Sequence, residues 1–215
     1  MKRKGRDVKE LIDTLLDFGG ERVVKYCEKE LKKGTPPCDI FDNLSRGLDE
    51  IGNRYEKGRF FTSDLIVSGS NMKKAIEILR PLFKREAGSI KGRVLIGTVK
   101  GDVHDIGKTI FSIMLQANGF EVIDLGVDVS EEAFLDMIEK TGPDVLAMSV
   151  LLTSTMSNME AVIEALREKG LRGNIKIIVG GRPINREYAE KIGADEYGKD
   201  AVEGVRKCLS LVGRT

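Results

Sequence analysis

The sequence contains a single histidine, His104, and an aspartate lies two residues before it. Asp102 can therefore reach the second nitrogen of the His104 ring, and a carboxylate placed in this way orients an imidazole and raises its basicity as a metal ligand. Gly107 follows, and Lys108 and Thr109 then continue into a helical pattern. A loop histidine that caps a helix beside a surface ion pair has the same spacing. The pair alone leaves both interpretations open.

The segment Gly107-Lys108-Thr109 also resembles the end of a phosphate-binding loop, G-x-x-x-x-G-K-[ST]. Here five residues separate Gly101 from Gly107, and Asp102 stands where the first glycine of that motif belongs. A carboxylate at this position would face phosphate where backbone amides are needed. The sequence therefore disfavours nucleotide binding and keeps it as an alternative.

A second polar segment carries five hydroxyl side chains within nine residues: Ser149, Thr153, Ser154, Thr155 and Ser157. Helix capping uses one or two hydroxyls, so the remainder suit a narrow slot beside Leu151 that hydrogen-bonds an inserted polar group. A later apolar run ends in Gly180-Gly181. Adjacent glycines permit close approach of a flat or bulky ligand, and a tight turn requires the same residues.

The elements that must position these residues fall into two halves with different hydrophobic periods. Residues 7–85 show helical periodicity only, in four stripes, with Asp39 and Ser63 as candidate N-caps for the third and fourth helices. This pattern predicts a four-helix bundle over residues 1–86. Residues 87–92 are the predicted linker to a second domain over residues 93–215.

The second half alternates β-branched runs with amphipathic segments. The predicted strands cover residues 93–99, 121–124, 145–149, 176–179 and 196–197. Helical segments of roughly 10 to 15 residues between strands imply a parallel sheet, and the expected order is 2-1-3-4-5. The predicted fold class is therefore α/β, with a four-helix bundle cap followed by a flavodoxin-like (Rossmann-like) five-stranded parallel sheet domain. Ligands of such sheets bind where the winding reverses, here beyond the first and third strands.

Composition excludes several classes of function. Lysine and arginine total 35 against 34 acidic residues, so the net charge of +1 disfavours a nucleic-acid partner. No apolar run approaches the roughly 18 residues that span a membrane, and the basic start lacks the apolar segment of a secretory signal. Three scattered cysteines, Cys27, Cys38 and Cys208, predict reduced thiols in a cytoplasmic protein rather than a metal site.

These motifs together resemble the cobalamin-binding corrinoid proteins of methyltransferase systems. The family signature D-x-H-x-x-G matches Asp102, His104 and Gly107, and its S-x-L matches Ser149 and Leu151, followed by Thr153 and Thr155. Its glycine pair matches Gly180-Gly181, and its four-helix cap matches the amino-terminal half. The resemblance spans nearly the whole chain. This sequence departs from the family pattern around the fourth helix, where family members often carry proline and a run of alanines.

The resemblance implies a cobalamin cofactor that alternates between methylcobalamin and a cobalt(I) corrinoid. It implies that His104 is the lower cobalt ligand and that Asp102, His104 and Thr155 are catalytic, with Asp102 and Thr155 passing a proton to the ring. The implied cofactor-binding residues of the second domain are Gly101, Asp102, Val103, His104, Asp105, Ile106, Gly107, Ser149, Leu151, Thr153, Thr155, Gly180 and Gly181. In the cap, Leu65 and Met72 are candidates for corrin contact and equally for the bundle core.

The function implied by the resemblance is that of a methyl carrier. A substrate-specific corrinoid methyltransferase would load the methyl group, a second methyltransferase would pass it to a folate or thiol acceptor, and a reductive activase would restore oxidised cobalt. Two alternatives remain open: the small subunit of an adenosylcobalamin-dependent mutase, and a cobalamin-sensing regulatory module. The sequence does not disclose the methyl donor, because specificity in such systems lies in the partner.

Overall fold

The computed structural model of the protein describes residues 7–83 and 90–213. The chain forms two compact units, Met1–Lys84 and Arg85–Thr215. Helices make up the first unit, and strands alternate with helices in the second. Only the last three residues of the predicted linker, 90–92, are among those described; the rest of it lies outside them.

The first unit is the four-helix bundle that the periodicity predicts. Its helices are α1 (Val8–Leu15), α2 (Glu21–Lys32), α3 (Pro37–Glu56) and α4 (Thr62–Leu79), and a short turn follows at Arg80–Leu82. The apolar stripes of these helices meet in one core, because each helix can remove its apolar face from water only against the others. The fully buried side chains include Leu11, Leu15, Val23, Cys27, Ile40, Leu44, Ile51, Met72 and Leu79.

Two predicted helix starts are wrong, one by three residues and the other by two. Helix α3 begins at Pro37 rather than after Asp39, and α4 begins at Thr62 rather than after Ser63. Proline is favoured at the first helical position because its fixed φ suits the helix and its missing N–H is not needed there. In α4 the carboxylate of Asp64 accepts a hydrogen bond of 2.8 Å from the backbone amide of Phe61. This bond from the third helical position replaces the expected side-chain cap.

A close approach of α1 and α3 at Gly47 gives the first testable prediction. A Cβ at Gly47 would lie 2.8 Å from the Cβ of Leu11, whereas a Cβ at Gly69 in α4 would meet nothing within 4 Å. Alanine is favoured over glycine in a helix by about 1 kcal/mol, and overpacking costs about 1–3 kcal/mol. We expect Gly69→Ala to raise the free energy of unfolding. We expect Gly47→Ala to lower the free energy of unfolding by about 1 kcal/mol. Urea unfolding followed by circular dichroism checks this, and equal stabilisation by both would contradict the close contact.

The second unit is a five-stranded parallel sheet. Its strands are β1 (Arg93–Thr98), β2 (Glu121–Asp124), β3 (Val145–Ser149), β4 (Lys176–Gly180) and β5 (Glu196–Gly198). They are ordered β2-β1-β3-β4-β5 and all neighbours are parallel, which confirms the predicted fold class and strand order. The connecting helices are α5 (Ile106–Ala117), α6 (Glu131–Thr141), α7 (Ser157–Glu168), α8 (Arg186–Ile192) and α9 (Ala201–Leu211).

Helices cover both faces of this sheet. Alternate strand residues such as Leu95, Leu146 and Ile177 join a core with α6, α7 and α8. Residues of the opposite face are buried as well, among them Ile96, Ala147 and Ile178. Helices α5 and α9 pack against each other and against the strands. A Cβ at Gly204 of α9 would lie 2.8 Å from the ring of Phe111 in α5, so this glycine permits close packing of the two helices.

Within residues 7–83 and 90–213, no helix combines the length and apolarity needed to span a membrane.

The three cysteines differ in burial, which predicts their order of reactivity. Burial raises the pKa of Cys208 to about 12 and that of Cys27 to about 11, and both side chains are fully enclosed. Cys38 is partly exposed, although burial and the neighbouring Asp42 also raise the pKa of its thiol. Because the thiolate is the reactive form, we expect iodoacetamide at mildly alkaline pH to modify Cys38 first and to spare the other two. Mass spectrometry of the native protein, with a urea-unfolded control, measures this; early labelling of Cys208 would contradict it.

Candidate functional site

The two predicted loops lie side by side at the carboxyl end of the sheet. Strands β1 and β3 are neighbours, with Thr98 opposite Ser149 in the register. The backbone amide of Val99 donates to the carbonyl of Ser149, 3.2 Å away, and so extends the pairing past the end of the strands. The loop from β1 to α5 and the loop from β3 to α7 therefore leave the sheet together, at the point where the winding reverses.

The carboxylate of Asp102 joins these loops and is fully buried. Its Oδ1 accepts from the backbone amide of His104 at 3.0 Å and lies 2.7 Å from Nδ1 of the same residue. Its Oδ2 accepts from the amides of Leu151 and Leu152 at 2.6 and 3.0 Å. One oxygen thus orients the imidazole while the other anchors the chain that follows β3.

These hydrogen bonds determine the ionisation state of Asp102. Burial alone raises the pKa of a carboxyl group, but the amides of Leu151, His104 and Leu152 and the His104 ring outweigh burial and hold the pKa of Asp102 below its ordinary value. An ionised carboxylate can only accept, so Nδ1 of His104 must be the donor. In the neutral ring the lone pair is then on Nε2, the nitrogen that faces away from Asp102.

Nε2 of His104 is available to a ligand. The side chain is 47% exposed, and Nε2 makes no hydrogen bond with any residue that the structure describes. Residues 7–83 and 90–213 hold no group of three or more histidine, cysteine or acidic side chains that could bind a metal ion. A single imidazole is too few ligands for a bare ion. It suits a metal whose other ligands arrive with it, as in a macrocyclic complex.

An exposed apolar surface flanks the histidine. Val103 precedes it, Leu151 and Leu152 bond to Asp102, and all three side chains are substantially exposed. A Cβ at Gly107 would meet nothing within 4 Å, so the start of α5 is open beside the ring. Apolar side chains left in water around one projecting imidazole fit a large, flat, mainly apolar ligand.

The remaining predicted residues of the first loop shape its path. Gly101 adopts a left-handed φ of 80°. Asp105 is the N-cap residue of α5, and its carbonyl accepts from the amide of Thr109 at 2.7 Å. Ile106 is the first residue of α5 and is half-buried. Their backbone carries the chain from the buried Asp102 into the helix.

The hydroxyl residues of the second loop have different surroundings. Ser149 is half-buried at the end of β3, Thr153 is exposed, and Thr155 is buried. The Thr155 hydroxyl lies 3.0 Å from the carbonyl of Leu152 and 3.5 Å from Oδ2 of Asp102. A hydroxyl has one proton to donate, and the nearer acceptor is the carbonyl. The role of Thr155 in passing a proton stays a prediction.

The glycine pair is required by the backbone of this chain. Gly181 has a left-handed φ of 128°, and a Cβ there would lie 1.8 Å from the carbonyl oxygen of Val150. A Cβ at Gly180 would lie 3.1 Å from the carbonyl oxygen of Gly198. The turn therefore accounts for Gly181 without a ligand, and the close approach of β5 favours a small residue at Gly180. Contact of the pair with a cofactor stays a prediction.

Lys108, the lysine of the alternative phosphate-binding loop, already has a partner. Its side chain is buried and forms an ion pair with both carboxylate oxygens of Asp124 at the end of β2, with 2.6 Å between Nζ and Oδ2. A lysine committed to a carboxylate cannot serve as a phosphate ligand without breaking this pair. The arrangement disfavours nucleotide binding.

Sequence reasoning missed two residues that hold the histidine loop. The buried hydroxyl of Thr98 donates to the carbonyl of His104 at 3.0 Å, and Asp128 bonds to the backbone of Gly101 and Asp102. Thr98 is a polar residue that ends an apolar strand, a signal that could have identified it. Asp128 lies on a distant loop, and no local pattern marks it.

The two predicted cap residues lie in the helical unit. Met72 is completely buried in the bundle core, whereas Leu65 is partly exposed. Of the two side chains, Leu65 is therefore the one accessible to a ligand. Corrin contact by either residue stays a prediction.

Both halves of the chain match known protein families. A B12 binding domain profile matches residues 92–206, and a second B12 binding domain profile matches residues 8–80. The chain is 37% identical over 203 residues to trimethylamine corrinoid protein 2 of Methanosarcina acetivorans, covering 93% of this chain and 94% of that protein. It is 38% identical over 206 residues to the dimethylamine corrinoid protein of Methanosarcina barkeri, covering 95% and 97%.

Solved structures of cobalamin-related proteins are also similar to this chain. The monomethylamine corrinoid protein of Methanosarcina barkeri superposes with a TM-score of 0.86 at 32% identity, covering 94% of this chain and 96% of that one. A chain of the methanol:cobalamin methyltransferase complex of the same organism gives a TM-score of 0.56 at 27% identity, covering 100% and 82%. The profile matches cover the helical unit and the sheet unit alike, and the curated relatives match over nearly the whole chain. The chain belongs to the family of B12-binding corrinoid proteins.

Proposed function

We propose that this chain carries a methyl group on a corrinoid cofactor between methyltransferases. The observation that carries the proposal is the imidazole of His104, which the buried Asp102 holds by Nδ1 so that Nε2 is left for a metal. When bound, the corrinoid supplies a cobalt centre that accepts and releases the methyl group. Relatives that match over nearly the whole chain are corrinoid proteins of methylamine systems, which supports the same role here.

Several residues of the sheet unit would hold the cofactor. His104 would bind cobalt as the lower ligand, and Asp102 would keep the ring in the required tautomer and orientation. The exposed apolar side chains of Val103 and Leu151 would pack against the macrocycle. Other predicted contacts are polar or small and would accept the nucleotide tail: Gly107, Ser149, Thr153, Thr155, Gly180 and Gly181.

A methylated amine is the proposed methyl donor. Corrinoid proteins similar to this chain are named for trimethylamine, dimethylamine and monomethylamine. We therefore propose an amine-specific corrinoid methyltransferase as the first partner and a second methyltransferase, with a folate or thiol acceptor, as the next. We also propose that a reductive activase restores oxidised cobalt and that the protein is located in the cytoplasm.

Two other functions are less well supported. The small subunit of an adenosylcobalamin-dependent mutase does not need the helical half, yet a B12 binding domain profile matches residues 8–80. A cobalamin-sensing regulator should carry a DNA-binding module. Helices α1 to α4 instead form a bundle of the type matched by that profile, and the net charge is only +1.

Methyl transfer from defined donors tests the proposal. The full chain, loaded with cobalamin and reduced, would be mixed with an amine-specific or a methanol-specific corrinoid methyltransferase and its substrate. We expect the absorbance spectrum of the methylated cofactor to develop with an amine enzyme and not with the methanol enzyme. Methylation by the methanol enzyme alone would contradict the proposed donor. Failure with every enzyme, in a protein that retains cobalamin, would contradict the carrier function.

A further inference from the structure

Asp128, in the connection from β2 to α6, has an unusual backbone conformation. Its φ is 55°, and it is the one non-glycine residue with a positive φ among residues 7–83 and 90–213. A left-handed conformation costs a residue with a Cβ roughly 1 kcal/mol, and aspartate and asparagine tolerate it better than other residues. Such strain persists where surrounding contacts impose it, and it is common at functional sites.

The contacts that impose this conformation lie on the histidine loop. Oδ1 of Asp128 accepts a hydrogen bond of 2.7 Å from the amide of Gly101. The amide of Asp128 donates to the carbonyl of Asp102 at 2.9 Å. Asp128 therefore bonds to the amide at the start of the Gly101–Asp102 segment and to the carbonyl at its end. The Asp102 side chain, which orients His104, extends from this segment.

The surrounding backbone keeps Asp128 in register with this loop. The amide of Val129 donates to the carbonyl of Thr98 at 3.0 Å, and Val99 and Val129 form a parallel bridge. Asp128 forms no ion pair with any residue that the structure describes. Its carboxylate is therefore used for the Gly101 amide, a charge-assisted bond at the short end of the usual range.

We propose that Asp128 is a positioning residue for the cobalt ligand. Asp102 satisfies the His104 ring with one oxygen and the Leu151 and Leu152 amides with the other. Both sets of bonds require the Asp102 backbone to stay in place. Asp128 holds that backbone, and through it the ring, in the orientation needed for ligation. This inference rests on the proposed function, in which His104 binds cobalt.

Three substitutions separate the hydrogen bond from the backbone conformation. Asp128→Asn keeps an oxygen acceptor and tolerates a positive φ, Asp128→Gly keeps the conformation but loses the acceptor, and Asp128→Ala loses both. Asp136→Asn is a matched control, because the Asp136 side chain is exposed on the solvent side of α6 and pairs only with Lys140 in the structure described.

The affinity of the full chain for hydroxocobalamin and the electron paramagnetic resonance (EPR) spectrum of the cobalt(II) form are the two measurements. We expect Asp128→Gly to bind roughly fivefold more weakly than wild type and Asp128→Ala roughly tenfold or more, since losing a charge-assisted hydrogen bond changes affinity by about this factor. In both, when the histidine is labelled with nitrogen-15, a smaller share of the bound cobalt should show the doublet of an axial histidine nitrogen. Asp128→Asn and Asp136→Asn should stay within about twofold of wild type.

A purely structural role would lower the melting temperature without changing the nitrogen splitting of the cobalt that is bound. Wild-type affinity and splitting in Asp128→Gly would overturn the proposal, and this variant can fold because glycine accepts a positive φ freely. An equal loss in Asp128→Asn would overturn it as well. Failure of the proposed function is distinct, because the wild-type protein with nitrogen-15-labelled histidine would then show no histidine doublet.

Discussion

Asp102→Ala is expected to lower the free energy of unfolding of the sheet unit by about 3–5 kcal/mol and to weaken cobalamin binding at least tenfold. The stability loss arises because the amides of Leu151 and Leu152 lose a buried acceptor, and each unsatisfied buried donor costs about 1–3 kcal/mol. The binding loss arises because the His104 ring loses the partner that orients it, and removal of such a partner lowers metal affinity about 10–100-fold.

Urea unfolding of the full chain and absorbance titration with hydroxocobalamin measure the two effects. Asparagine in Asp102→Asn has nearly the same shape as aspartate, but its NH2 group is a donor and stands in place of one of the two acceptor oxygens. We therefore expect an intermediate loss of both stability and affinity. The surface variant Asp136→Asn controls for the change in net charge. Wild-type stability in Asp102→Ala would show that the carboxylate does not hold the two loops together.

His104→Ala is expected to leave stability nearly unchanged and to weaken cobalamin retention by at least about a hundredfold. The side chain is half-exposed, so its removal creates no closed cavity, and Oδ1 of the buried Asp102 keeps the backbone amide of residue 104 as a donor. The loss of the proposed cobalt ligand should exceed the 10–100-fold effect of losing a supporting partner. Any cobalamin still bound should show a different lower-ligand absorbance spectrum.

Size-exclusion chromatography of the loaded protein, with the cobalamin absorbance read in the protein fraction, measures this retention. His104→Gln is the companion variant, because it keeps a polar side chain of similar size but has no imidazole. Both variants should unfold at wild-type urea concentrations. Retention of cobalamin at the wild-type level by both, with an unchanged spectrum, would rule out His104 as the ligand.

Much of the fold could be predicted because its causes are local. The helical period of residues 7–79 and the alternation of strands and helices after Arg93 follow from side chains that are neighbours along the chain. The strand order followed from general rules of parallel sheets. The helix starts were less accurate, because Pro37 and Asp64 compete with the cap residues Asp39 and Ser63, and local preference does not decide between them.

The site could be predicted only in part. Asp102 and His104 were identifiable because the pair is close in sequence and lies beyond a predicted strand. The partners that hold it come from distant segments: the amide of Leu151 is 49 residues from Asp102, and Asp128 is 27 residues from Gly101. The pairing of Lys108 with Asp124 likewise depends on β2 lying beside β1. Such contacts exist only after the strands have paired.

The one histidine of this chain permits a direct test of cobalt ligation. The full chain would be produced with nitrogen-15-labelled histidine, loaded with cobalamin of natural isotope content and reduced to cobalt(II) for EPR spectroscopy. If Nε2 of His104 is the axial ligand, each cobalt line that is split into a triplet by natural nitrogen becomes a doublet on labelling. A triplet that is unchanged by the label would show that the nitrogen comes from the cofactor itself, and would contradict the ligation on which this account rests.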